Sequence, residues 1–131
     1  MASIFSKIIA GEIPCYKIAE NDNYIAFLDI FPLKKGHTLV VPKKEVDYIF
    51  DLDNETLNGL MTFSKQVAAA IKTAIPCNRI GVSVIGLEVP HAHVHLIPIN
   101  TENDMNFRNE KLKLSKEEFE SIASAIRTAL D

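Results

Sequence analysis

Apolar residues recur along this chain with two periods, and each change of period marks an element. Ser3 followed by Ile4, Phe5, Ile8 and Ile9 has helical spacing, so a short capped helix is predicted there. Gly11 can close it in a left-handed cap, and Pro14 prevents it from resuming. Residues 16–19 and 24–29 read as strands around the turn-forming Glu20-Asn21-Asp22-Asn23. Residues 30–36 form a loop, and residues 37–41, rich in β-branched and apolar side chains, form a third strand stopped by Pro42. From Asn54 to Ile75 the period returns to 3.6. Leu57, Leu60, Met61, Ser64, Val67, Ala68, Ile71 and Ile75 line one side of a long helix, capped by Asp53 and closed by Pro76. Residues 79–85 are the next strand, and Gly86 to Pro90 forms a short link into a strand bracketed by Pro90 and Pro98, predicting an antiparallel hairpin. Residues 101–113 are polar and expected to be loop, and a Ser115/Glu118 capping box opens a last amphipathic helix through Phe119, Ile122, Ala123, Ile126 and Leu130. The order predicts one α+β domain on an antiparallel sheet.

Composition narrows the class without naming a function. The 131 residues suit one domain, and 47% hydrophobic content is globular. A net charge of -3 gives no electrostatic case for nucleic acid or an anionic membrane as partner. No apolar run approaches the roughly 18 residues of a membrane helix. The N-terminus has no basic stretch ahead of an apolar one, so no secretory signal is expected. Cys15 and Cys77 lie far apart and form no ligand or redox motif, which fits free thiols and a cytoplasmic location.

Chemistry concentrates in one stretch, Gly86 to Pro98, which holds three of the four histidines at His91, His93 and His95. In a strand all three imidazoles share one face, while Ala92, Val94 and Leu96 share the other. Each buried imidazole without partners costs about 1–3 kcal/mol, which weighs against a purely structural role for all three. A zinc site would need ligating nitrogens within roughly 3.5 Å of one another. Strand positions two apart are about 6.6 Å apart and positions four apart about 13 Å, so one ion could not easily gather all three. A further ligand would have to come from His37, Asp29 or Cys15. The third reading is nucleophilic attack on phosphorus, since a histidine of ordinary pKa near 6.5 is mostly neutral at pH 7. The central His93 suits that role, with backbone N–H groups near Gly86 able to approach a phosphate.

The run His91-Ala92-His93-Val94-His95-Leu96-Ile97 resembles the signature of the histidine-triad (HIT) family, His-apolar-His-apolar-His and two apolar residues. The N-terminal SIFSKIIAGEIP, then Phe27-Leu28-Asp29-Ile30, then residues 36–43 resemble further family blocks in the same order, so the likeness spans Ser3 to Pro98. It implies a single HIT domain over residues 1–131 with a HIT-like fold: an antiparallel sheet, a long helix and short N- and C-terminal helices. It also implies a homodimer joined through the long helix and residues 79–85. The implied activity is that of a nucleoside phosphoramidate or dinucleotide polyphosphate hydrolase, or a nucleotidyltransferase, acting at the α-phosphate of a purine nucleotide. The alternative is a nucleotide-binding regulatory protein with little or no turnover.

By the resemblance His93 would be the nucleophile, forming a nucleotidyl-histidine. His91 would orient it through a backbone carbonyl, and His95 with the backbone of Gly86, Leu87 and Glu88 would bind phosphate. Asp29 would hold the ribose hydroxyls, and His37 is the further histidine near the site. Ile4, Phe5, Ile8, Phe27, Leu28 and Ile30 would form a slot for the base, although Ile4, Phe5 and Ile8 read equally well as plain core. Many members carry a zinc-binding Cys-x-x-Cys where this chain has Ser3 and Ser6, so no metal and no cofactor is expected. Leu87 and Glu88 stand where relatives often have Gln and Ser or Thr, which makes the leaving group the open question.

Overall fold

The structure, a computed structural model, describes residues 2–130. Its frame is a five-stranded antiparallel sheet of β1 (Lys17–Glu20), β2 (Tyr24–Leu28), β3 (Thr38–Pro42), β4 (Arg79–Ser83) and β5 (Val94–Ile99), in the order β1-β2-β3-β5-β4. The helices are α1 (Ile4–Ile9), α2 (Asn54–Ala74) and α3 (Lys116–Leu130). Among the described residues no helix is long and apolar enough to cross a membrane.

The two sheet faces carry different contents, because side chains alternate along a strand. Ala26, Leu28, Val40, Val94 and Leu96 point into the main core beneath α2 and α3, against Leu60, Phe63, Val67, Ile71, Phe119, Ile122 and Ile126. Ile25, Phe27, Leu39 and Val41 point the other way, into a small second core closed by Phe5 of α1. Both faces of β2 and β3 are covered, which is why these strands read as continuous apolar runs.

Local chemistry explains the helix ends. Ser3 is extended at the N-cap of α1 and its hydroxyl accepts the Ser6 N–H. At the other end Gly11, at φ +80°, donates to Ile8 O while Glu12 donates to Lys7 O, a paired closure that needs a left-handed residue. The Ser115/Glu118 capping box forms in both directions, each bond 3.1 Å, at the start of α3.

Four expectations need correction. The buried stripe of α2 is Leu60, Phe63, Ser64, Val67, Ala70 and Ile71, whereas Met61 is 43% exposed. Phe63, stacked on Tyr24 at 5.7 Å, turns the helix toward itself. The link between β4 and β5 is residues 84–93 rather than a tight turn, although the strands do pair antiparallel. Pro98 lies inside β5, opposite Ile80, instead of ending it. Ile99 O accepts from Asn78 N–H on the β4 side, so the Pro98 nitrogen faces the β3 side, where pairing has already stopped at Leu96. Finally, the polar segment after β5 contains a 3-10 turn, Glu102–Met105, with its own Thr101/Asp104 capping box.

Gly59 shows how tightly α2 meets the sheet. A Cβ there would lie 2.0 Å from the Tyr24 hydroxyl, which donates to Thr56 O. Gly59→Ala is therefore predicted to destabilise the protein by about 1–3 kcal/mol, overriding the gain in helix propensity of roughly 1 kcal/mol. Urea unfolding checks it; a stabilised variant would contradict this packing.

Candidate active site

The ladder of β5 starts at Val94, so His91 and His93 precede the strand, yet alternation persists through them. Ala92 N–H donates to Val46 O at 2.7 Å and His91 N–H to Val89 O at 2.8 Å, the second closing a tight turn at Pro90 just before the triad. Ala92 stays in the main core with Val94 and Leu96. The histidines face the other side, where Phe5, His93, His95 and Phe107 form a row of rings with successive centroids 4.9, 5.0 and 4.9 Å apart, all near edge-on. His37, His91, His93 and His95 are all buried, and among the described residues every buried side-chain nitrogen or oxygen has a partner.

The partners dictate where each proton sits. Leu33 N–H points at His37 Nδ1 at 3.0 Å, so that nitrogen is an acceptor and the proton is on Nε2. His37 Nε2–H then donates to His95 Nδ1 at 2.9 Å, which leaves the His95 proton on Nε2. His93 donates from Nδ1 to the His91 carbonyl at 2.7 Å, so its Nε2 carries a bare lone pair. His91 donates from Nε2 to Pro42 O at 2.7 Å and accepts at Nδ1 from the Ser3 hydroxyl at 2.8 Å. Among the described residues, Nε2 of His93 and Nε2 of His95 have no protein partner, so both reach solvent: one base and one donor, side by side.

Burial pushes the His37 and His95 pKa down to about 3, with Lys111 and His93 adding to the fall for His37, and His37 and His93 for His95. His93 is also lowered, mainly by burial, against the opposing pull of its bond to His91 and of the Asp29 and Glu88 carboxylates. All three are therefore neutral at pH 7. A neutral imidazole with one nitrogen held protonated and the other open is a nucleophile, and the adjacent N–H can support an anionic oxygen.

The HIT domain family model matches residues 10–102. The chain belongs to the HIT domain family. An uncharacterised HIT-like protein of Borreliella burgdorferi is 35% identical, the match covering 94% of each chain. A protein of Schizosaccharomyces pombe named adenosine 5'-monophosphoramidase is 33% identical over 99% of each. A HIT-like protein of Bartonella henselae, described as involved in cell-cycle regulation and solved with an unknown ligand, superposes with a TM-score of 0.84 at 36% identity, covering 97% of this chain and 95% of its own.

Two places in this HIT domain bear on metal binding. Asp29, His37 and His95 bring ligand atoms within 4.8 Å of one another. A metal on His37 Nε2 would require the ring's proton on Nδ1, where it would oppose the Leu33 N–H. The cluster is thus built around a shared proton and does not suit a cation. At the position of the family's cysteine pair, Ser3 and Ser6 are already engaged: the Ser3 N–H and Ser6 hydroxyl donate to Glu45 at 2.6 and 2.7 Å, and the Ser3 hydroxyl to His91. These donors hold the Glu45 carboxyl down at about 2. Hydroxyls are poor zinc ligands beside thiolates, and the group does not fit a structural zinc.

The remaining candidates divide. Phe5 and Phe27 meet edge-on at 5.6 Å, and Ile8 packs against them. Ile4 is 48% exposed and lies outside that cluster. Asp29 uses one oxygen to accept Phe31 N–H and sets the other 3.6 Å from His37 Nε2, so it is a turn residue and a neighbour of the triad at once. The Leu28 side chain is corrected out of the slot, since alternation puts it in the main core on the opposite face. Ile30 is 55% exposed beyond the end of β2. Gly86, at φ +74°, Leu87, 88% exposed, and Glu88 lie in the open link before the triad. Sequence reasoning missed Phe107, the Leu33 N–H and Glu45. Phe107, a lone aromatic in a polar stretch, was the one visible signal.

The histidine protonation gives a pH prediction. Two folded pKa values sit below the unfolded value of 6.5, so below pH 6.5 the unfolded chain binds more protons. Stability should fall as pH drops from about 6.5 toward 3, and His37→Gln should reduce that slope by up to about 1.4 kcal/mol per pH unit. Denaturant melts across this range test it; an unchanged slope in the variant would contradict a buried neutral His37.

Proposed function

We propose that this HIT domain is a nucleotide hydrolase or nucleotidyltransferase that works at the α-phosphate of a purine nucleotide derivative. The observation that carries the reading is the His93 imidazole, with Nδ1–H fixed on His91 O and Nε2 open beside the neutral His95 donor. The adenosine 5'-monophosphoramidase name of the Schizosaccharomyces pombe relative points to the same substrate class. In this mechanism His93 Nε2 attacks phosphorus and a P–N bond forms while the bond to the leaving group breaks; that group keeps the electron pair and takes up a proton from solvent. The charge arising on the ring is shared with the His91 carbonyl through Nδ1–H. His95 Nε2–H donates to a phosphoryl oxygen. Water then attacks phosphorus and gives up a proton to solvent, and the P–N bond breaks with its electron pair returning to His93 Nε2. The base would lie against Phe5, Ile8 and Phe27, and Asp29 would meet the ribose.

His93→Ala should lower AMP release from adenosine 5'-phosphoramidate on the order of 10³-fold or more while AMP still binds. Release by the variant at the wild-type rate would remove His93 from the mechanism. Glu88 favours the second reading, a nucleotide-binding protein with slow turnover, because an exposed carboxylate beside the triad repels the substrate's phosphate. Wild-type protein that binds AMP and cleaves neither phosphoramidates nor dinucleotide polyphosphates would establish it.

The domain is also proposed to act as a homodimer. β4 is an edge strand with open hydrogen-bonding groups, and Val82, Val84, Ile85 and the α2 residue Met61 are exposed apolar residues. Val82→Lys should shift the protein to monomers in analytical ultracentrifugation. A wild-type monomer would refute the proposal.

A further inference from the structure

Phe107 closes the far end of the ring row. Its ring stands edge-on to His95 at 4.9 Å and to His37 at 6.2 Å, and it is half-buried. It belongs to the segment after β5, which is pinned to the 29–36 loop at two points. Asp104 pairs with Lys34 at 3.2 Å, and Leu112 N–H donates to Pro32 O at 2.8 Å. Between the pins the segment holds its own shape: Asn109 donates to Asn103 O, and the Lys111 ammonium to the carbonyls of Phe107 and Asn109. The loop it is pinned to is the one that presents the Leu33 N–H to His37.

We propose that Phe107 is a positioning residue acting through His95: its ring excludes water from the His37–His95 hydrogen bond and so keeps the His95 proton on Nε2, facing the substrate. Its effect on turnover rests on the hydrolase reading above, whereas its effect on the two rings does not. The physical case is the conflict that water would create. A proton added at His95 Nδ1 would face the His37 Nε2–H across 2.9 Å, and two donors cannot share that bond. One ring would have to turn, and the donor aimed at the phosphoryl oxygen would turn with it. The charged and titratable groups around the pair are His93 and Lys111, which oppose that proton, and Asp29, which favours it. Burial outweighs them all, and Phe107 is the aromatic part of that cover.

The test is a histidine side-chain ¹⁵N NMR titration of the full chain, as wild type, Phe107→Ala and Phe107→Tyr. Wild type and Phe107→Tyr should keep His95 neutral, with Nε2–H, down to about pH 4. Phe107→Ala should raise its pKa by one unit or more. An alanine variant that titrates as wild type overturns the proposal. If Phe107→Ala does not fold, Phe107→Leu is judged in its place, where a smaller rise supports the role and no rise overturns it. With adenosine 5'-phosphoramidate, Phe107→Ala should lose kcat/KM on the acid side only. If His95 relaxes to an ordinary pKa near 6.5, about a quarter of it stays neutral at pH 6. Equal loss at every pH would mean a merely structural ring and overturn the proposal. An inactive wild type with the NMR shift intact would sink the hydrolase reading and leave the role of Phe107 standing.

Discussion

The Leu33 N–H pointing into the His37 ring sets the direction of the hydrogen bonds that follow it. A backbone amide cannot reverse its role, so His37 must accept there and donate from its other nitrogen. His95 is then forced to present a proton outward. His93 is set independently by a second backbone group, the His91 carbonyl, which can only accept. Adjacent imidazoles therefore carry opposite faces to solvent, one basic and one acidic, with no titration needed to distinguish them. Main-chain groups do the assigning, and the fold places them.

The two-faced sheet makes that assignment durable. The main core beneath α2 and α3 holds Val94 and Leu96, so β5 cannot slip by one residue without burying histidines there and expelling apolar side chains. The smaller core under α1 is built on Phe5, Ile25, Phe27, Leu39 and Val41, and Phe5 carries it up to the His93 ring. His91 joins the two halves: its ring reaches the β3 terminus through Pro42 O and the α1 cap through Ser3. Here a hydrogen-bonded group, completed by Glu45, occupies the place where the sequence resemblance put a metal in other members.

Most of the architecture was legible in the sequence because its signals were local. The Gly11 closure, the Ser115/Glu118 box and the triad's alternation each depend on a few neighbouring residues. The facing of α2 was misjudged because Phe63 and Tyr24, distant in sequence, decide it. Pro98 reads as a strand end in the sequence because only the register shows that β3 stops before reaching it. The triad and its chemistry are visible, whereas Leu33 and Glu45 are not: a backbone N–H carries no residue code, and Glu45 reaches His91 and Ser3 from far along the chain. Phe107 shows only as a lone aromatic in a polar stretch. Leu28 joins the slot only when the block from Phe27 to Ile30 is read as contiguous, and strand alternation separates it from Phe27.

The Ser3 hydroxyl has a consequence for the order of assembly. It caps α1 by accepting from Ser6, yet it also donates to a histidine 88 residues away. A six-residue helix is far too short to persist alone, so α1 depends on packing formed by the rest of the chain. The wall that carries Phe5 is therefore complete only when the triad strand is docked against it. For the same reason α1 is the element whose backbone amides should exchange with solvent first, by local opening that leaves the sheet intact. The mouth of the site is thus hinged on the least autonomous part of the chain.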